Sequence, residues 1–141
     1  MTLEPQANIL VIEDNVIIAM MMEADLEDAG YAVVGPVSTG TAAFDIVKER
    51  DIAVALVDVD LLDGESGIDV ARRLTHEYKI PCIFVTGQVE EAARHPDAGL
   101  GVLAKPMSAG SLAETVRAVL SGARPDILRL HWFELTISAQ S

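Results

Sequence analysis

The sequence predicts an α/β domain: a five-stranded parallel sheet with helices on both faces. Three observations carry that prediction. The runs at 9–12, 52–57 and 82–85 are continuously apolar and rich in β-branched residues, as strands buried on both faces are. The segments between them place apolar residues three and four apart, the helical period. Strand and helix alternate five times, and a strand followed by a crossover helix returns parallel to its predecessor.

The elements follow in order. Residues 1–7 read as a loose leader, and a strand runs from Asn8 to about Glu13. A helix over 15–29 turns Ile18, Met21, Met22, Leu26 and Ala29 inward and stops at Gly30. Residues 31–37 form the second strand, and 39–50 a helix with Ala43, Ile46 and Val47 inward. The third strand, 52–57, is the most apolar and belongs at the centre of the sheet. A turn-rich loop, VDLLDGES, precedes a helix over 68–78 with Val70, Ala71 and Leu74 on one face. Pro81 is tolerated at the first position of strand 81–85. A short helix over 89–95 leads to a fifth strand at 101–104. The last helix starts at Ser108 or Ser111, where Ser111 and Glu114 have capping-box spacing, and Gly122 ends it. An apolar extension, 123–141, is too short for an effector domain. Its apolar residues fit strand alternation (Leu128, Leu130, Trp132) as well as helical steps (Leu128, Trp132, Leu135).

Composition narrows the function. A chain of 141 residues suits one domain with a real core, here aliphatic because aromatics are only 4%. A net charge of −12 argues against a nucleic-acid surface. A single cysteine, Cys82, excludes an internal disulfide and fits a reducing cytoplasm. No stretch approaches the roughly 18 apolar residues of a membrane span, and MTLEPQAN lacks the features of a signal peptide. The three histidines, His76, His95 and His131, are scattered and read as surface or local packing.

The chemistry gathers at strand ends. Glu13 and Asp14 close the first strand, Asp58 the third, Thr86 the fourth and Lys105-Pro106 the fifth. In open α/β sheets this carboxyl edge is where ligands bind. Carboxylates, a hydroxyl and an ammonium on one edge suit a divalent cation and a phosphorylated aspartate. Asp58 attacks poorly while both it and an incoming phosphate are negative, and Mg²⁺ (or Mn²⁺) removes that repulsion. Glu13, Asp14 and Asp58 are the candidate metal ligands, with the main-chain carbonyl of Asp60 completing the set. Two such charges about 4 Å apart repel by roughly 4 kcal/mol at an effective dielectric near 20. Divalent metal is therefore expected to stabilise the domain.

In their order and intervals, Asp14, Asp58, Thr86 and Lys105 resemble the receiver domain of two-component response regulators over residues 8–122. The loop DVDLLDGESG gives a weaker resemblance to receivers of the alphaproteobacterial general stress response. The resemblance implies a flavodoxin-like, doubly wound sheet of order 2-1-3-4-5, and a Lys105-Pro106 bond that is usually cis. It makes Asp58 the phosphoacceptor, Thr86 the switch hydroxyl and Lys105 the phosphate-binding lysine. It implies phosphoryl transfer from a sensor histidine kinase or histidine phosphotransfer protein. Such a single-domain regulator acts by protein contact or as a phosphate sink, and is no enzyme beyond its own phosphorylation and dephosphorylation. The kinase of this family meets the first helix, where Ile17, Met20 and Ala24 form a second apolar stripe.

Departures from the family pattern are specific. Val102 stands where a Tyr or Phe usually turns inward as the threonine binds phosphate. The segment from Thr86 to Lys105 is about three residues short, and the loop after Asp58 is one residue longer than usual. Asp60 and Gln88 lie where the family tunes dephosphorylation. Two alternatives stand beside this reading. Asp58-Val59-Asp60 and Val85-Thr86 also resemble motifs of haloacid-dehalogenase-type phosphatases, although the motif order is reversed here. A pseudo-receiver adaptor would bind partners without taking phosphate.

Overall fold

The computed structural model describes residues 6–122 and 130–132. β1 (Asn8–Ile12), β2 (Ala32–Val37), β3 (Val54–Val57), β4 (Cys82–Thr86) and β5 (Gly101–Ala104) alternate with α1 (Val16–Asp28), α2 (Gly40–Val47), α3 (Gly67–Glu77), α4 (Val89–Ala93) and α5 (Ser111–Ser121). These five strands are parallel in the order β2-β1-β3-β4-β5, with β3 central as its composition requires. The extension adds β6 (Leu130–Trp132), antiparallel to β5, with Val102 opposite His131. The sheet thus has six strands, and at 130–132 the alternating reading of the extension holds. The remainder of the extension and residues 1–5 lie outside the described residues.

Alternation along each strand builds two cores. Leu10, Ile12, Ala55, Val57, Cys82, Phe84 and Val102 face Ala43 of α2, Val70, Ala71 and Leu74 of α3 and Ala92 of α4. Ile9, Val11, Val54, Leu56, Ile83, Val85 and Leu103 face Met22 and Leu26 of α1 and Leu112 and Val116 of α5. Burying a large aliphatic side chain stabilises by about 1.5–3 kcal/mol. A two-sided aliphatic core therefore accounts for a fold with few aromatics.

Some local expectations are corrected. Met21 and Ala29 are exposed; the inner stripe of α1 is Ala19, Met22 and Leu26. The helix is apolar nearly all round, so periodicity left its phase open and packing against β1 and α5 set it. The capping box at Ser111 does not form. The cap is Gly110 in a left-handed conformation, and the Ser111 hydroxyl donates instead to the Ser108 carbonyl at 2.7 Å. Asn15, Thr39 and Ser66 do cap α1, α2 and α3, each accepting from a backbone N–H of the first turn. Gly122, at φ 77°, ends α5 as predicted. α4 is short, and the segment after it is tied to α3. Arg72 Nε donates to Asp97 at 2.8 Å, and the Thr75 hydroxyl donates to the Ala98 carbonyl at 2.8 Å. His76 and His95 belong to the same network, the local packing expected of them.

Candidate functional site

The carboxyl ends of β1, β3, β4 and β5 converge because the strands are parallel and in register. Asp58 N–H donates to the Ile12 carbonyl at 3.0 Å, which sets Asp58 beside Glu13 and Asp14. Lys105 N–H donates to the Thr86 carbonyl at 3.0 Å, which sets the lysine beside Thr86. Oxygens of Glu13, Asp14 and Asp58 lie within 4.8 Å of one another. Lys105 Nζ spans the cluster, donating to Glu13 Oε1 at 2.6 Å and to Asp58 Oδ2 at 3.0 Å.

Burial sharpens the electrostatics. Glu13 and Asp58 are only 3% and 8% exposed. Burial, reinforced by the nearby Asp58 charge, holds the Glu13 carboxyl above its ordinary pKa, although Lys105 and the Asn15 N–H pull against that. For Lys105 burial disfavours the ammonium, but its bonds to Glu13 and Asp58 outweigh burial and its pKa is raised. The ammonium keeps some access to solvent and faces two carboxylates; Glu13 is almost wholly enclosed and shares the single cation. Burial therefore opposes the charge on both partners, and only on Lys105 do the ion pairs outweigh it.

Thr86 is buried at the end of β4, and its hydroxyl oxygen accepts from Gln88 N–H at 3.1 Å. Gln88 Nε2 donates to Asp60 Oδ2, joining the loops after β3 and β4. Asp60 N–H in turn approaches Asp58 Oδ1 at 3.4 Å. Val102 is fully buried in the sheet beside Phe84, with no ring to swing. The Lys105–Pro106 peptide is cis, as the resemblance implies, and Gly35–Pro36 is also cis.

Two further glycines shape the site. A Cβ on Gly67 would lie 1.7 Å from the Asp58 carbonyl oxygen, so only glycine lets α3 start against the acceptor strand. A Cβ on Gly40 would lie 2.6 Å from Glu65 Oε2. The Gly40 contact has no local sequence signal, since it joins residues 25 apart along the chain.

A sequence model of the response regulator receiver domain matches residues 9–117, most of the chain. The chain belongs to the response regulator receiver family. The receiver is 33% identical over 115 residues to the phyllosphere-induced regulator PhyR of Methylorubrum extorquens, covering 79% of this chain and 43% of that protein. It thus spans less than half of this curated relative. It resembles the receiver domain of a modulated diguanylate cyclase from Desulfovibrio desulfuricans, with a TM-score of 0.76 and 29% identity over 84% of this chain and 96% of that one. The receiver domain of a Pseudomonas aeruginosa sensor histidine kinase, with a magnesium ion in its active site cleft, shares the fold. There the TM-score is 0.72 with 24% identity over 83% and 99% of the two chains.

The family matched is not that of the haloacid-dehalogenase-type phosphatases, and Asp58 follows the third strand of the sheet. The acidic cluster offers only carboxylate oxygens, the donors that hard divalent cations prefer. No described helix is long and apolar enough to cross a membrane.

Proposed function

We propose that this receiver accepts a phosphoryl group on Asp58 from a histidine kinase or histidine phosphotransfer protein, with Mg²⁺ as cofactor. Glu13, Asp14 and Asp58 would hold the ion, with the Asp60 carbonyl, and its charge would offset the repulsion between acceptor and donor. The observation that carries the reading is Lys105 Nζ seated between Glu13 and Asp58 at one end of the sheet. An Asp58 carboxylate oxygen bonds to phosphorus as the P–N bond of the donor phosphohistidine breaks. The imidazole keeps that electron pair and takes up a proton. Lys105 neutralises charge on the transferred group, and the Thr86 hydroxyl hydrogen-bonds it. Hydrolysis then returns the carboxylate and inorganic phosphate. The protein's share of catalysis is positioning and charge compensation.

α1 supplies a place for the donor. Val16, Ile17, Met20 and Met21 are exposed large apolar residues on one helix, Ile17 at 65% and Met20 at 60%. Met21 also lines a surface cleft with Ile18, Pro106 and Met107 beside Lys105. An apolar, methionine-bearing patch at the mouth of an acidic site suits a helical donor surface. With Val102 buried and aliphatic, a threonine–aromatic switch has no aromatic to move. Output by protein contact or use as a phosphate sink both accommodate that, in the cytoplasm.

The test is intact mass after incubation with Mg²⁺ and acetyl phosphate, or with a phosphorylated kinase. One phosphoryl group is expected on wild type and none on Asp58→Asn. No gain with either donor would support the pseudo-receiver reading instead.

A further inference from the structure

We propose that Glu65 is a positioning residue for the acceptor site, tying the loop after β3 to the start of α2. The proposal rests on the receiver reading and concerns the same site.

The loop over 58–66 runs outward from the sheet edge, with Asp60, Leu62 and Gly64 exposed. Its own backbone closes it. Asp60 and Ser66 form an antiparallel bridge, Leu61 N–H donates to the Glu65 carbonyl at 3.3 Å, and Gly67 N–H donates to the Val59 carbonyl at 2.7 Å. The Glu65 side chain reaches across to a distant element. Its Oε1 accepts from Gly40 N–H, the first residue of α2, at 2.6 Å. A carboxylate there is favoured by the partial positive charge of the helix start, and a charge-assisted bond is among the stronger kinds.

Two observations separate this contact from ordinary capping. Thr39 already caps α2 through Ala42 N–H at 3.2 Å, so the helix has its own cap. The residue that receives Glu65 is a glycine, and a Cβ there would meet Glu65 Oε2 and Val70 Cγ2, each at 2.6 Å. The close approach thus depends on both partners.

The consequence reaches the acceptor through Ser66 and Asp60. Glu65 adjoins Ser66, which pairs with Asp60. Asp60 carries the carbonyl assigned to the metal, and its N–H faces Asp58 Oδ1. With Glu65 anchored, the loop holds those groups before any cation arrives. Without it, cation binding must also order the loop, and affinity falls.

The experiment uses the full chain with Glu65→Ala, Glu65→Gln and Gly40→Ala. Three readouts are compared: amide hydrogen exchange in EDTA, Mg²⁺ affinity by calorimetry, and labelling by acetyl phosphate. In Glu65→Ala, exchange over 59–67 should rise and Mg²⁺ affinity fall, each by about tenfold, the scale of a lost charged hydrogen bond. Glu65→Gln, which keeps a carbonyl acceptor, should fall between that variant and wild type. Gly40→Ala should reproduce Glu65→Ala in the loop. Wild-type exchange and affinity in Glu65→Ala would overturn the proposal, and so would an exchange increase spread evenly over the domain. The EDTA exchange arm needs neither metal nor phosphate. A wild type that neither binds Mg²⁺ nor takes phosphate would refute the phosphoacceptor reading while leaving the tie to be judged on exchange.

Discussion

Glu13 carries a carboxylate that the sheet edge requires and the solvent barely reaches. Its charge is offset by Lys105 and opposed by Asp58, and the net effect is a carboxyl held above its ordinary pKa chiefly by burial. The stability consequence has a definite sign. A pKa raised on folding favours the protonated native form, and that contribution is complete below the ordinary value of 4.5. It is lost as pH rises through the folded value, so above that value the metal-free protein is without it. Glu13→Gln, neutral at every pH, should therefore melt higher than wild type in EDTA at any pH above that folded value. The gap should narrow as pH falls toward 4.5. Melting curves against pH check this, and a gap that widened on acidification would refute the assignment. Cys82, in contrast, is a silent core residue: burial pushes its thiol up to about 12.

At the scale of elements, α1 joins two functions in one helix. Ala19, Met22 and Leu26 seal the core, while Ile17 and Met20 remain on the surface near the site. A charge placed on the outer stripe should leave the fold and the acceptor intact but repel an apolar donor surface. Met20→Glu is expected to slow transfer from a phosphorylated kinase at least about tenfold, the effect of roughly 1.4 kcal/mol at an interface. Labelling by acetyl phosphate should stay at the wild-type rate. Equal slowing with both donors would place Met20 in the acceptor site instead of the docking surface. On the far side of the sheet, α3 and the segment after α4 are joined through Arg72, Thr75 and His76. That tie steadies a connection left with only a five-residue helix.

At the scale of the whole molecule, an acidic chain also gathers a close carboxylate cluster at one edge of the sheet. The chain carries −12 overall, and at the site three carboxylates lie together, two of them, Glu13 and Asp58, paired with Lys105. Total stability of a domain is typically about 5–15 kcal/mol, so roughly 4 kcal/mol from one close carboxylate pair is a substantial part of it. Binding of Mg²⁺ to the folded state alone adds stability by mass action, about 2.7 kcal/mol at a hundredfold excess over Kd. A melting temperature that rises by several degrees in millimolar Mg²⁺ is expected, with most of the rise absent in Asp14→Asn. An unchanged curve in wild type would remove the metal from the account.

The sequence by itself determined the alternation of strands and helices, the central place of β3, and the gathering of Glu13, Asp14, Asp58, Thr86 and Lys105 at one edge. Those properties follow from local rules: apolar runs define buried strands, crossovers make them parallel, and parallel strands bring their carboxyl ends together. The tertiary structure decided the rest. The phase of α1 was open because apolar residues surround the helix, and only packing could choose Met22 over Met21. The extension was equally periodic as strand or helix until its residues 130–132 met the free edge of β5. Lys105 between two carboxylates and Glu65 on Gly40 join residues far apart along the chain. Such contacts have no period and no neighbouring motif. They exist only once the fold has brought their partners within bonding distance.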